Sequence, residues 1–132
     1  VLPPVPPVAP DVEALSALER LAASPLLAHG ELRAFYIALV EIAKRYLERR
    51  LDVPVLEMTS TEMVSLLRDR ESTRDFAVAA RDLLGAADRV KFACGSAEIV
   101  LAERHLAGVR QMIAALEKRL RPVEPETPEK AA

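Results

Sequence analysis

The placement of proline constrains this chain more than any other feature. Eight of its ten prolines lie at the ends: Pro3, Pro4, Pro6, Pro7 and Pro10, then Pro122, Pro125 and Pro128. Each fixes φ and removes a backbone donor, so both ends favour extended, solvated polyproline geometry. Residues 1–10 therefore read as a Pro-rich linker and 122–132 as a disordered tail. Residues 11–121 are the folded unit, interrupted only by Pro25 and Pro54. A P-x-x-P ligand for an SH3-like partner in residues 3–7 is the alternative to a semi-rigid spacer.

Inside that unit the apolar residues recur with the period of an α-helix. Asp11 is placed to cap a first helix over 12–24, with Leu15, Leu18, Leu21 and Ala22 on one face and Ser24-Pro25 as its stop. A second, long helix starts near Gly30. Its stripe is Leu32, Phe35, Tyr36, Leu39, Val40, Ala43, Tyr46, Leu47 and Leu51, and Pro54 ends it. Thr59-Ser60-Thr61-Glu62 matches the capping box, in which hydroxyl and carboxylate each satisfy the other residue's amide. It opens a short helix bearing Met63, Val64, Leu66 and Leu67. Ser72 is placed to cap a fourth helix that turns Phe76, Ala79, Ala80, Leu83 and Leu84 inward and stops at Gly85.

Two short segments break the helical pattern. Val55-Leu56-Glu57-Met58 and Arg89-Val90-Lys91-Phe92-Ala93 read as strands, the second because polar and apolar residues alternate. Their pairing would set Leu56 and Met58 against Val90 and Phe92. After the turn Cys94-Gly95-Ser96, with Ser96 as cap, a last helix carries Ile99, Ala102, Leu106, Val109, Ile113, Leu116 and Leu120 at alternating steps of three and four. That seam suits an intramolecular bundle, with a self-associating coiled coil as the alternative. The expected fold is mainly α: about five helices in a compact bundle, a minor two-stranded β pairing, and a winged-helix-like order of elements.

Composition narrows the function classes. Hydrophobic residues at 51% can fill one core, and with few aromatics and no Trp that core is aliphatic. Eighteen Lys and Arg face twenty Asp and Glu, giving a net charge of -2 with the signs interspersed. Phosphate binding rests on uncompensated cations. In the fourth helix Arg74 and Arg81 are offset by Asp75 and Asp82. Nucleic-acid binding by a winged-helix-like unit is therefore the runner-up reading. Cys94 is the single cysteine, which excludes an intrachain disulfide and fits a reducing compartment. No uncharged apolar run approaches the roughly 18 residues of a membrane span, and Val1 reads as an internal boundary or cleavage point.

No catalytic, cofactor or metal constellation emerges. Glu57, Glu62 and Asp88 sit near element ends, as caps and surface acids do. His29 and His105 are far apart, outside any metal-ligand spacing. Cys94 has no visible activating base, and Gly30, Gly85, Gly95 and Gly108 form no phosphate-cradling loop. The densest cationic cluster is Lys44, Arg45, Arg49 and Arg50 at the end of the second helix. Such a cluster suits the helix dipole, and it is also the candidate partner-binding surface.

Three segments together carry a family resemblance: Phe35-Tyr36 through Lys44-Arg45-Tyr46-Leu47-Glu48-Arg49-Arg50, then Val55-Leu56-Glu57-Met58-Thr59-Ser60-Thr61-Glu62, then Ala87-Asp88-Arg89-Val90-Lys91-Phe92-Ala93. In this order they resemble the cytosolic C-terminal domain of bacterial membrane proteins encoded beside MoxR-type AAA ATPases and von Willebrand A-domain proteins, the Bat-type aerotolerance clusters. Where that family reads closer to ERTTEE or ELTTEE, this chain has Glu57-Met58-Thr59-Ser60-Thr61-Glu62, which keeps the capping logic. The resemblance implies a transmembrane helix ahead of the Pro-rich linker, a place on the cytoplasmic face of the inner membrane, and no enzymatic residues. It implies an adaptor whose partners are the ATPase or the A-domain protein.

Overall fold

A computed structural model of the chain describes residues 8–90 and 96–120. Five α-helices account for most of them: α1 (Pro10–Ala23), α2 (Leu32–Leu51), α3 (Ser60–Asp69), α4 (Ala77–Arg89) and α5 (Ser96–Leu120). The mainly helical reading holds, and the described residues contain no strand.

The first helix starts two residues earlier than Asp11 as cap requires. Pro10 occupies the first helical turn, where its missing N–H costs nothing, and Ala9 is the uncapped N-cap. Asp11 and Glu13 lie inside that turn, favoured there by the helix dipole. Ser24 ends α1, its hydroxyl donating to the Leu21 carbonyl at 2.7 Å. The chain then folds back through a turn closed by Glu31 N–H on Leu26 O at 2.8 Å, with Gly30 at φ +71°. Only glycine takes that conformation at little cost, so Gly30 belongs to the turn rather than to α2.

Helix α2 buries Leu32, Phe35, Tyr36, Leu39, Ala43, Tyr46 and Leu47, the stripe its sequence marks out. It packs against α1, α4 and α5 and so forms the centre of the bundle. It ends before Pro54 can act. Asp52 adopts φ 57°, ψ 47°, and its N–H returns to Glu48 O at 2.9 Å, a left-handed C-cap.

The expected β pairing of 55–58 with 89–93 is not shown among the described residues, and its first segment is corrected. Val55–Glu57 is a 3-10 turn, with Met58 N–H on Val55 O at 3.0 Å. Only Val55 enters the core; Leu56 and Glu57 are exposed, so the apolar residues serve one inward contact rather than a sheet face. On the other side Arg89 is the last residue of α4 and Val90 its buried C-cap in right-handed helical conformation. Helix α4 runs through Gly85 without stopping: the helical pattern on both sides of it outweighs the roughly 1 kcal/mol that glycine costs inside a helix. The contacts expected of Lys91, Phe92 and Ala93, like those of Cys94, lie outside the described residues.

The capping box forms as its spacing requires. Thr59 Oγ1 accepts from Glu62 N–H at 3.1 Å, and Glu62 Oε1 accepts from Thr59 N–H at 2.9 Å. Helix α3 and α4 make an antiparallel hairpin linked by a 3-10 turn at Arg74–Phe76. Ser72 does not cap α4. The neighbouring Thr73 holds this corner: it is fully buried, and its hydroxyl donates to Leu67 O at 2.8 Å, satisfying the end of α3.

In α5 the seam residues Ala102, Leu106, Val109, Ile113 and Leu116 are all buried, and α5 packs on α1 and α2. The seam is thus covered within one chain.

Candidate functional site

The four cations picked from the sequence each find a partner on another element. Lys44 Nζ donates to Met58 O at 2.9 Å, tying α2 to the segment before α3. Arg45 Nε donates to Glu13 Oε1 at 3.0 Å. Arg49 reaches the same carboxylate at 3.4 Å and also donates to Val8 O. Arg50 meets Glu117 of α5 in a two-pronged pair, Nε to Oε2 at 2.7 Å and Nη2 to Oε1 at 2.6 Å. The cluster therefore joins α2 to α1, to α5 and to residue 58.

The last of these pairs is the most enclosed. Glu117 is 8% exposed and also accepts from the Tyr46 hydroxyl at 2.7 Å. Burial, then the bond to the Glu117 carboxylate, pushes the Tyr46 phenol well above its ordinary range. Burial works against the Arg50 cation, but the carboxylate outweighs it and its pKa rises.

A second polar bridge crosses the bundle. The Tyr36 hydroxyl and His105 Nδ1 are 2.6 Å apart, joining α2 to α5, with the rings edge-to-face at 5.5 Å. Burial lifts the Tyr36 phenol to about 12, with the Arg89 cation pulling the other way. Burial lowers the His105 pKa, opposed by Asp82 and reinforced by Arg89. With the imidazole proton on Nε2 the phenol donates to Nδ1, and with it on Nδ1 the ring donates to the phenol oxygen. The pair can hold two helices in register. Neither sequence nor spacing signals it, because residues 36 and 105 meet only through the packing of α5 on α2.

His29 lies in the turn before α2, far along the chain from His105. Among the described residues no group of three or more His, Cys, Asp or Glu could hold a metal ion. Glu62 serves the capping box, which lowers its pKa through the Thr59 amide and hydroxyl. Glu57 is exposed on the 3-10 turn, and Asp88 is exposed near the end of α4.

Asp88 does border a surface groove. Two depressions, of about 450 and 490 Å3, meet at Ser60, Leu84 and Asp88. One runs between α3 and α4 past Val64, Val78, Arg68 and Arg81. The other runs between α2 and α4 past Ile37, Val40 and Leu56, with Arg33 and Glu41 on its rim. Three exposed aliphatic side chains line this bent groove: Ile37 at 59%, Leu56 at 39% and Val78 at 69%. Ile37 and Val78 fall outside the apolar stripes of their helices. An apolar residue off the buried stripe was the signal in the sequence, and the stripe-by-stripe reading passed over it.

No family model, curated protein or solved structure matches this chain. The side chains must carry the functional reading. For the winged-helix order, one observation bears on a DNA-reading α4: Arg74 lies in the 3-10 turn ahead of α4, donating to Arg68 O at 3.0 Å.

Proposed function

We propose that this is a non-enzymatic protein-interaction domain, an adaptor, and that it receives an amphipathic helix of its partner in the bent groove between α2, α3 and α4. The observation that carries this reading is the set of exposed aliphatic residues Ile37, Leu56 and Val78 along one continuous groove. Helix-in-groove recognition uses apolar anchors one or two turns apart with charged groups beside them. Here Arg33, Arg68 and Arg81 on the rim suit a partner with carboxylates flanking its apolar face, and Glu41 and Asp88 fix its direction.

The titratable groups inside the bundle support the non-enzymatic part. Glu117, Arg50, Tyr46, Tyr36 and His105 are all engaged in bonds between helices. The resemblance of residues 35–50, 55–62 and 87–93 to the Bat-type family supplies the partner class. The domain then stands on the cytoplasmic face of a bacterial inner membrane, tethered ahead of its Pro-rich linker, and works with a MoxR-type AAA ATPase or its von Willebrand A-domain companion. None of the helices among the described residues is long and apolar enough to cross a membrane.

The test is a titration of residues 1–132 against the purified ATPase and A-domain proteins of the same gene cluster, by calorimetry. Binding should weaken at least tenfold in Ile37→Glu and in Val78→Glu, both exposed and cheap to change, and should survive Gln111→Glu on α5. Absence of binding to both proteins would sink the adaptor reading. Salt-sensitive retention on heparin with a gel shift near 50 mM salt would put nucleic acid in its place.

A further inference from the structure

Helices α4 and α5 are neighbours that do not pack closely. A pit of about 150 Å3 lies between them, with Met63, Ala43 and Met112 in its interior and Ala79, Gly108 and Arg104 at its exposed mouth. It is separate from the bent groove and shares no lining residue with it. We propose that this pit is a binding site for a small apolar molecule of the size of one aromatic ring.

Size and lining set the ligand class. An enclosed apolar cavity of ~150 Å3 walled by aliphatic side chains takes up benzene or xenon; the pit has that volume and opens to solvent on one side. The walls here are Ala, Leu, Val and Met, with Phe76 at one side. Methionine adapts its shape and makes favourable contacts between sulfur and an aromatic ring. Polar groups stand at the edge only: Asp82, Arg104 and His105. Nδ1 of His105 is engaged by Tyr36, so Nε2 is the nitrogen left for a polar substituent.

Two further observations bear on the site. Gly108 lies in the middle of α5 at the mouth, and a Cβ built there meets nothing within 4 Å, so the mouth is open above it. The elements around the pit are tied to the rest of the bundle. At one end Arg119 of α5 grips Asp75 with two bonds of 2.8 and 2.9 Å, donates to Ser72 O, and lies 4.9 Å over the Phe76 ring. On the other side the Tyr36 bridge fixes His105. A site that exists before its ligand arrives loses little affinity to reorganisation.

The three methionines provide the test. With methyl-13C methionine in the full chain, benzene is titrated and the methyl resonances are followed. Met63 and Met112 line the pit; Met58 does not, and is the internal control. The expected result is a saturable shift at Met63 and Met112 with Met58 unmoved. Gly108→Leu and Ala79→Leu, which fill the mouth from opposite walls, should each weaken the apparent affinity at least tenfold. Gly108→Ala should leave most of it. A shift that does not saturate, an equal shift at Met58, or undiminished binding in either filled and folded variant would overturn the assignment. The readout does not involve the groove, so its failure leaves the adaptor reading standing, and the reverse.

Discussion

Replacing Arg50 by alanine is the most direct way to ask what holds α5 on α2. The carboxylate of Glu117 is 10% exposed at its side chain and the guanidinium 23%, so water screens the pair poorly. Three short bonds converge on that carboxylate, two from Arg50 and one from Tyr46. In Arg50→Ala only the phenol remains, and the carboxylate is left in a site that still excludes most water. Removing one member of such a pair costs about 3 kcal/mol, chiefly from the unpaired charge rather than from lost attraction. For a domain of this size that corresponds to a fall in Tm of roughly 10 to 15 °C. The double variant Arg50→Met, Glu117→Leu removes both charges and keeps volume and apolar contact. It should lie within about 1 kcal/mol of the parent, because two desolvation costs disappear with the pair. Urea unfolding followed by circular dichroism at 222 nm reads both differences, provided the slope with denaturant stays constant. A loss below about 1 kcal/mol for Arg50→Ala, the range of an exposed ion pair, would refute the enclosed-pair reasoning. So would a double variant as unstable as the single.

Four further outcomes follow from particular side chains. Thr59→Ala should cost about 1 kcal/mol in urea unfolding, the usual value of an N-cap. The Glu62 pKa is lowered on folding, so the carboxylate's contribution is complete above its ordinary value of 4.5 and fades as pH falls through the lower folded value; the stability gap between the parent and Glu62→Gln should close in that acid window. The His105 pKa is also lowered, chiefly by burial, which for a cation means stability complete above 6.5 and lost as pH falls through the folded value; imidazole proton NMR should show His105 titrating below 6.5, and a value at or above 6.5 contradicts its burial between the helices. Asp52→Gly should raise stability by roughly 0.5 kcal/mol, because a non-glycine residue pays for φ 57°.

Periodicity carried most of the fold. The stripes of α2 and α5 mark most of their buried faces, with Val40, Leu51, Ile99 and Leu120 half-buried at the margins, and the Thr59 to Glu62 spacing forms its box as written. Each departure has a local cause that a pattern of apolar residues does not contain. The segment 55–58 reads as a strand because three of its four residues are apolar, yet only Val55 is fully buried, Met58 is half-buried and Leu56 belongs to the surface. Gly85 looked like a stop, but a C-cap glycine needs positive φ, and the residues after it continue the helical pattern into Arg89. Asp52, not Pro54, ends α2 because the backbone reverses hand one turn after Glu48. The polar contacts were the least legible. Pairs such as Tyr36 with His105, or Arg50 with Glu117, are separated by 69 and 67 positions, and nothing in either neighbourhood names the other.

Those long-range contacts give the densest cations a structural role. A bundle with an aliphatic core has little directional information in its packing, since Leu, Ala and Val seams tolerate sliding by a turn. The charged and hydroxyl groups supply the register instead: Glu13 holds Arg45 and Arg49, Glu117 holds Arg50 and Tyr46, and Asp75 holds Arg119. Each of these contacts joins helices or turns distant in sequence. They cluster on α1, α2, the α3–α4 corner and α5, and fix the frame. The α4 helix is joined to that frame by its packing on α2 and by the Arg119 grip at its N-terminal corner, with no comparable polar contact along its length facing α5. The grooves and the pit all lie along α4 for that reason. The element with fewest register-setting bonds is the one whose two flanks remain open, and a ligand or partner helix can occupy those flanks without breaking any contact that holds the bundle together.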